Sequence, residues 1–280
     1  MNSENYTVVI PYYNDYTNLC LLLQDIARTN QRFRPEKILI VNDGSTDNIF
    51  DIPDKYNIDL LPEISLITID HSGPKEALIR GLNSVETDFS IVLHSDARLL
   101  TKFTNSYVHK DVLSVLYYHC SDADDAISIS CFSLHSYGID KSMDYITGGF
   151  RSIDTTMNKT EMVVPYYNYR FKSLVKDSLS GWFRVFSVSS NIFTLNMNIF
   201  REVGKFDDSV SNHRYFLDDL FAKSRSKGYH VYFTYDTVIF HNENENKPEK
   251  SLAIEAPEDW SEFCEKWAGD KVWTEMSLYE

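Results

Sequence analysis

Residues 1–100 alternate short apolar runs with segments of helical periodicity, and this alternation limits the fold more than any other feature. Apolar runs at residues 6–10, 37–41, 65–69 and 89–93 indicate buried strands. Residues 17–29 and 74–85 have helical spacing, the second with Pro74 in its first turn. Buried strands separated by helices are typical of a parallel sheet that is covered on both faces. We therefore predict an α/β, Rossmann-like fold with a mostly parallel sheet and helices on both faces.

Polar residues follow three of these strands at the point where each strand ends. They are Pro11, Tyr12, Tyr13 and Asn14 after the first strand, the NDGSTD segment at residues 42–47 after the second, and His94, Ser95 and Asp96 after the fourth. Ligands of such sheets bind outside the carboxyl ends of the strands, so we expect a ligand site at this edge. The residues alone leave two uses open for the NDGSTD segment, which either binds a ligand or caps the next helix.

The chain beyond residue 100 is less regular. Helices are predicted at residues 107–119, 198–203 and 215–227, the last closed by Gly228, and strands at residues 126–134, 191–195 and 230–240. Residues 136–186 show no clear period, and residues 242–250 form a polar loop. The segment from residue 256 onward holds three of the four Trp residues and is predicted to form a docking pair of helices.

Charge and cysteine content narrow the class of protein. The formal net charge is −14, and such an acidic surface repels a nucleic-acid backbone, so no nucleic-acid partner is expected. A divalent cation held by carboxylates would still join this surface to a diphosphate. Four cysteines without a C-x-x-C pair indicate free thiols in a reducing compartment. No apolar stretch approaches the ~18 residues of a transmembrane helix. We therefore expect a cytoplasmic protein, with peripheral membrane contact left open.

The strand-end motifs, in this order, resemble family 2 glycosyltransferases of the GT-A fold. A later block is similar as well: SNIF at residues 190–193, FREVGKFDD at 200–208, DDL at 218–220, GY at 228–229 and VIFH at 238–241. The match covers residues 1–100 and 189–241. It implies a GT-A domain over residues 1–250, with a nucleotide-binding half (1–100), an irregular acceptor-binding half (101–250) and a C-terminal helical extension (251–280).

The resemblance implies a nucleotide site built by the first strand ends. Tyr13 would stack on the nucleobase and Asp43 would accept a hydrogen bond from it, whereas ordinary packing and a turn cap are the alternatives that the residues leave open. The remaining residues assigned to the nucleotide are Pro11, Tyr12, Asn14, Lys75, Ser95 and Asp96. Lys75 and Arg80 are placed to meet phosphates, although solvated side chains are the commoner outcome for such helix residues.

A divalent cation, Mn²⁺ or Mg²⁺, is the cofactor that the resemblance implies. Asp96 takes the place of the last acid of the family's D-x-D signature, with His94 in place of the first acid. His241 ends a strand where the family often has a histidine near the diphosphate. His94 departs from the family pattern, because imidazole suits softer metals better than Mg²⁺.

Asp218 and Asp219 are the candidates for the catalytic base. In the family, an acid in this block deprotonates the acceptor hydroxyl for inverting transfer. Phe216 and Leu217 stand where the acid pair is usually seen, and the residues do not decide which aspartate acts. The alternative is that both acids only favour the helix dipole. A group of aromatic residues could bind the acceptor, namely Trp182 with Tyr166, Tyr167 and Tyr169. These residues either form a platform for the acceptor or only pack against other side chains.

The predicted function is inverting transfer of a sugar from a nucleotide-diphosphate sugar to a saccharide or lipid-linked saccharide acceptor. Two alternatives remain: a sugar-1-phosphate nucleotidyltransferase, and a catalytically degenerate GT-A protein that only binds. Residues 11–16 lack the Gly-rich loop and basic residue of the first alternative, whereas His94 and the displaced acids favour the second.

Overall fold

The computed structural model describes residues 4–28, 32–52, 61–99, 111–135, 145–147, 150–154, 161–163, 169–170, 181–188, 190–204, 206, 215–241, 263 and 265–267. The helices are α1 (Tyr16–Arg28), α2 (Pro74–Asn83), α3 (Val112–Asp122), α4 (Met197–Val203) and α5 (Phe216–Ser226), with a 3₁₀ turn at Ile49–Asp51. The first strands are β1 (Glu4–Tyr12), β2 (Pro35–Asp43), β3 (Glu63–Ile69), β4 (Phe89–Leu93), β5 (Ala97–Arg98), β6 (Ala126–His135) and β7 (Tyr145–Thr147). The later strands are β8 (Phe150–Asp154), β9 (Glu161–Val163), β10 (Tyr169–Arg170), β11 (Trp182–Val185), β12 (Ser187–Val188), β13 (Ile192–Asn196) and β14 (His230–His241).

The first sheet has the order β13-β4-β1-β2-β3. β1, β2, β3 and β4 are parallel, and β13 adds antiparallel to β4. The prediction of a mostly parallel sheet built by residues 1–100 is therefore confirmed. The antiparallel edge strand from the later half was not predicted, because its partner is set by a contact far away in the chain.

Helices cover both faces of this sheet, as predicted. Val9 of β1 belongs to the same apolar cluster as Leu78 of α2, whereas Val8 belongs to a second cluster with Leu22 of α1. Alternate residues of β1 therefore pack into apolar clusters on opposite faces of the sheet. A Cβ on Gly81 of α2 would lie 2.6 Å from Val9 Cγ1, so the absence of a side chain there lets the helix backbone approach the sheet closely.

A second sheet, in the order β10-β7-β6-β14-β11, carries the later half of the chain, and β5 pairs with β14 beside it. β6 runs parallel to β14, whereas β11 and β5 run antiparallel to it. β12, β8 and β9 form a third, three-stranded sheet. The long strand β14 thus links the second sheet to the turn that follows β4.

One sequence-based element prediction needs correction. The helix predicted from residue 107 begins at Val112, because the Asp111 side chain accepts a hydrogen bond from Ser114 N and caps it there. The strand predicted from the alternation at residues 126–134 is confirmed as β6, in which Ser128 and Ser130 are fully buried. The helix pair predicted beyond residue 256 lies outside the described residues, apart from residues 263 and 265–267. Within the described residues, no helix is long and apolar enough to cross a membrane.

Candidate functional site

The turns after β1 and β2 are joined by hydrogen bonds at the carboxyl edge of the first sheet. The backbone N–H of Asn14 donates to Ser45 Oγ (3.0 Å), and Asn14 Oδ1 accepts from the backbone N–H of Thr46 (2.8 Å). Asn14 has a φ of 47°, a left-handed conformation that asparagine tolerates better than most residues. Because Pro11 pairs with Val41 across the two parallel strands, both turns start at the same level. The turns after β1 and β2 are therefore joined at this edge of the sheet.

Asp43 fastens the loop that follows β3. Its Oδ1 accepts from the backbone N–H of Ser72 (2.7 Å), and its Oδ2 accepts from that of Gly73 (2.9 Å). His71 Nδ1 lies 2.9 Å from Asp43 Oδ2. A Cβ on Gly44, whose φ is +68°, would lie 2.8 Å from His71 N, so only glycine fits this contact. The carboxylate thus has an anchoring role that sequence reasoning missed, and its contact with a nucleobase stays a prediction.

Tyr13 and His71 form a stacked aromatic pair at the same edge. Their ring centroids lie 4.2 Å apart with an interplanar angle of 20°, and Tyr13 is 47% exposed. An exposed, immobilised ring pair offers a face for stacking on a nucleobase. Tyr13 was predicted for this role, and His71 was missed. The available signal was its position directly after the third predicted strand, at the edge where the other site residues meet.

Two of the predicted nucleotide residues support the site from beneath. The Tyr12 ring is buried, and its hydroxyl donates to Asp47. Burial, reinforced by that carboxylate, raises the pKa of the Tyr12 phenol above its ordinary value. Ser95 Oγ donates to Asp15 Oδ2 (3.0 Å), which ties the turn after β4 to the start of α1.

The cationic residues on α2 differ in exposure. The expectation that Lys75 is solvated is wrong, because only 6% of the residue is exposed. Arg80 is exposed, as expected. A lysine this deeply buried retains an interaction with its surroundings, and its predicted contact with the nucleotide remains open to test.

The three predicted metal ligands lie together. β5 pairs with β14 so that Ala97 faces His241, which brings Asp96 next to that histidine. His241 Nε2 lies 3.0 Å from Asp96 Oδ1, and both residues are buried. One ligand atom from each of His94, Asp96 and His241 lies within 4.8 Å of the others. The three residues were predicted as ligands from the family resemblance, and the register of β5 with β14 brings them together.

A buried ion pair holds the strand that carries this turn. Arg98 Nε and Nη2 donate to the two carboxylate oxygens of Asp25 on α1, at 2.6 Å and 2.9 Å. The backbone N–H of Leu99 also donates to Asp25 Oδ2 (3.1 Å). The side chain of Asp25 is 1% exposed and that of Arg98 is 25% exposed, so the carboxylate of this bidentate pair is sheltered from water. It fixes β5, and with it the residue directly after Asp96.

The donor set fits a divalent transition-metal ion. Bonds from such an ion to nitrogen and oxygen are about 2.0–2.3 Å long, so its ligand atoms lie up to roughly 4.6 Å apart. The observed limit of 4.8 Å is close to that spacing. Mg²⁺ prefers oxygen ligands and water, whereas imidazole is a common ligand of transition-metal ions.

The two candidate bases lie in the first turn of α5. Asp218 and Asp219 are each 1% exposed. Asp219 Oδ1 accepts from Trp267 Nε1 (2.9 Å) and lies 2.7 Å from Lys266 Nζ. Phe216 and Leu217, which stand where the family has its acid pair, are buried in the apolar core. Trp182 of the predicted acceptor platform is exposed. The side chains of residues 166, 167 and 169 lie outside the described part of the structure, so the platform stays a prediction.

Comparison with known families and proteins gives one family. The family model described as “Glycosyl transferase family 2” matches residues 7–190. Poly(ribitol-phosphate) beta-N-acetylglucosaminyltransferase TarS of Staphylococcus aureus is 25% identical over 138 residues, which are 49% of this chain and 23% of that protein. Teichoic acid poly(glycerol phosphate) polymerase of Staphylococcus epidermidis is 31% identical over 105 residues, which are 37% of this chain and 14% of that protein. The chain therefore aligns with less than a quarter of the length of these relatives.

Solved structures share the fold. GalNAc-T7 with UDP, GalNAc and Mn²⁺ has a TM-score of 0.66 at 14% identity, covering 96% of this chain and 49% of that one. Staphylococcus aureus TarS 1-349 in complex with UDP-GlcNAc has a TM-score of 0.57 at 16% identity, covering 92% of this chain and 64% of that one. These likenesses establish the predicted GT-A architecture.

Proposed function

Because the chain belongs to glycosyl transferase family 2, we propose that it transfers a sugar from a nucleoside diphosphate sugar to an acceptor hydroxyl, with inversion at the anomeric carbon. One observation carries this proposal: the Tyr13–His71 pair and the turn with His94 and Asp96 follow strands at the same edge of the first sheet. β14 of the second sheet brings His241 to that turn. A cation site and an aromatic face on one edge match the two ends of a nucleoside diphosphate.

The nucleobase would lie on the Tyr13–His71 pair. The exposed Tyr13 ring supplies the stacking surface, and Asp43 keeps His71 in place through the loop after β3. A hydrogen bond to Asn14 joins the turn after β1 to the turn after β2. The turn that carries Asn14 therefore lies beside the nucleobase site, and it would face the ribose and phosphates. Lys75 would add positive charge at the start of α2.

His94, Asp96 and His241 would hold a divalent cation, most favourably Mn²⁺. Such an ion neutralises charge on the diphosphate leaving group. The chain's own part is to fix the three donors, which it does through the β5–β14 pairing and the Asp25–Arg98 bond. The acid in the first turn of α5, Asp218 or Asp219, would take the proton of the acceptor hydroxyl.

The first donors to test are UDP-N-acetylhexosamines. The name of TarS states that it transfers N-acetylglucosamine, and solved neighbours contain UDP-GlcNAc or UDP with GalNAc. The formal net charge of −14 disfavours a polyanionic acceptor, so a neutral or lipid-linked saccharide is the acceptor that we propose. The free thiols of Cys20, Cys120 and Cys131 support placement in the cytoplasm.

The test is a screen of nucleoside diphosphate sugars with and without Mn²⁺, read first as thermal stabilisation. A ligand at 100 times its Kd adds about 2.7 kcal/mol to the stability of the folded state. The stabilising donor is then incubated with a panel of saccharide acceptors, and the product mass is measured. Stabilisation by a donor only with Mn²⁺, followed by a glycosylated product, supports transfer. A donor that binds but yields no product with any acceptor contradicts it.

A binding protein without catalysis is the second candidate function. It is favoured by Leu217, a buried apolar residue where the family has an acid, and by the bonds that occupy Asp219. The same screen separates the two, because a degenerate protein binds nucleotide or glycan but releases no nucleoside diphosphate. Hydrolysis of the donor by wild-type protein, lost in Asp218→Asn, would exclude the degenerate form.

A further inference from the structure

Two side chains near the C-terminus bind the carboxylate of Asp219. Trp267 Nε1 donates to Asp219 Oδ1 over 2.9 Å, and Lys266 Nζ lies 2.7 Å from the same oxygen. The Asp219 side chain is 2% exposed and that of Lys266 is 30% exposed. Hydrogen bonds between charged groups are stronger than neutral ones, and more so away from water. The contact is therefore well placed to fix the orientation of this acid.

Apolar contacts seat the same segment against the start of α5. Phe263 is 2% exposed, and its ring centroid lies 5.8 Å from that of Tyr215 and 6.1 Å from that of Phe186. Tyr215 is the residue that precedes α5. Phe263 and Trp267 are four residues apart, a spacing that places both on one face of a helical turn. The segment thus contacts both the N-terminal boundary and the first turn of α5.

Successive residues on a helix point about 100° apart, so Asp218 and Asp219 face different surroundings. Oδ1 of Asp219 contacts both the ammonium of Lys266 and the indole N–H of Trp267, and these contacts join Asp219 to the segment that contains those two residues. A base must instead direct a lone pair at the acceptor hydroxyl. These bonds give Asp219 the role of an anchor for the turn, and Asp218 is the other candidate base in that turn.

We propose that Lys266 and Trp267 are positioning residues for the transfer reaction, which rests on the function proposed above. By fixing Asp219 they hold the first turn of α5 so that Asp218 takes the proton of the acceptor hydroxyl. The acceptor oxygen forms a bond to the anomeric carbon, and the bond from that carbon to the diphosphate oxygen breaks. The nucleoside diphosphate leaves with that electron pair.

Steady-state kinetics of four variants tests the positioning role. Trp267→Phe keeps the ring but removes the N–H, and Lys266→Met removes the ammonium; each should lower kcat about 10-fold or more, since small misplacements of reacting groups reduce rates steeply. The KM for the donor and the Mn²⁺ requirement should stay within about two-fold of wild type, since both residues bind Asp219 on α5, the helix assigned to the acceptor. Lys266→Arg should recover part of kcat. Tyr118→Phe, which removes a hydroxyl from an exposed aromatic residue on α3, is the matched control.

The anchor and the base are separated by isosteric amides. Asp219→Asn should keep measurable activity because its amide oxygen still accepts from both donors, whereas Asp218→Asn should abolish transfer. Equal loss in the two variants would overturn the assignment, and so would an unchanged kcat in folded Trp267→Phe and Lys266→Met. If wild-type protein transfers no sugar, the proposed function fails, which is distinct from an active wild type with unaffected variants.

A readout independent of activity covers variants that fold poorly. The indole N–H resonance of Trp267, identified in ¹⁵N-labelled full chain by its loss in Trp267→Phe, reports its hydrogen bond directly. It should shift in Asp219→Ala and remain in place in Asp218→Asn. A resonance that does not respond to Asp219→Ala would overturn the contact on which the positioning role depends.

Discussion

His241 Nε2 lies 3.0 Å from Asp96 Oδ1, although the two residues are 145 positions apart in the sequence (241 − 96). The antiparallel pairing of β5 with β14 sets this distance by aligning His241 with Ala97. His94, at the start of the same turn, completes a set of three donors. The site therefore depends on strand register as much as on the donors themselves.

Replacing His94 by an acid should change the metal preference. Wild-type protein is expected to be activated better by Mn²⁺ than by Mg²⁺, because two of its three donors are imidazoles. His94→Asp supplies a second carboxylate, and the ratio of Mn²⁺- to Mg²⁺-supported donor binding should fall several-fold. Calorimetry with nucleoside diphosphate in each metal measures this ratio. An unchanged ratio would remove His94 from the proposed ligand set.

Loss of the Asp25–Arg98 bond should cost stability and loosen the cation site. Arg98→Met leaves the Asp25 carboxylate buried without its partner, which should lower the free energy of unfolding by about 3 kcal/mol. Lys37→Met removes an exposed ion pair to Glu63 (3.4 Å) and is the control, with an expected change below about 1 kcal/mol. Urea denaturation gives both values. A similar decrease in the free energy of unfolding in the two variants would show that the Asp25–Arg98 bond stabilises the fold no more than an exposed ion pair does.

Removing the Tyr13 ring should weaken nucleotide binding. Stacking of a base on an aromatic ring contributes about 1–3 kcal/mol, so Tyr13→Ala should raise the Kd for the nucleoside diphosphate about 10-fold or more. Tyr13→Phe keeps the ring face and should bind like wild type. Tyr118→Ala removes another exposed tyrosine, 50% exposed on α3, and serves as the control. Equal affinity of Tyr13→Ala and wild type would contradict the stacking role.

The described cysteines should differ in reactivity. Burial raises the pKa of the Cys120 thiol to about 12, and burial also raises the pKa of Cys131. At pH 8, a thiol reagent should therefore modify the half-buried Cys20 quickly in a Cys264→Ser background, and the other two only as fast as the protein unfolds. Fast modification of all three in folded protein would contradict their burial.

The same shifts set the direction of a pH effect. The folded-state pKa values lie above the value of about 8.5 for an unfolded cysteine. The preference of the folded state for the protonated thiol is complete below that value and is lost as pH rises toward 12. The free energy of unfolding should thus decrease above about pH 9, and Cys120→Ala should reduce the slope.

The sheet edge could be predicted because its signals are local. Apolar runs such as residues 37–41 identify buried strands. The polar segment that follows such a run, here Asn42–Asp47, therefore marks the turn at the end of the strand. The parallel arrangement then places Asn14, Asp43 and Asp96 at the same edge without further information. The cation ligands were predicted from the family resemblance, whereas their geometry depends on the pairing of β5 with β14.

The contacts that sequence reasoning missed are non-local. Nothing in the pattern around His71 shows that Asp43 binds its loop, since that contact depends on the register of β2 and β3. Lys75 was expected in solvent because helix periodicity does not show how closely α2 packs. The hydrogen bond from Trp267 to Asp219 joins two segments that are far apart in the sequence, so no local sequence pattern predicts it.

The central claim is that His94, Asp96 and His241 hold a divalent cation that joins a nucleoside diphosphate to this chain. Its most direct test is calorimetry of UDP and GDP with wild-type protein and Asp96→Ala, in Mn²⁺ and in chelator, with circular dichroism to verify the fold. We predict that at least one nucleotide binds wild type only in Mn²⁺, and that Asp96→Ala loses this binding while keeping its fold. Equal binding with and without Mn²⁺, or Mn²⁺-dependent binding that survives in Asp96→Ala, would contradict the claim.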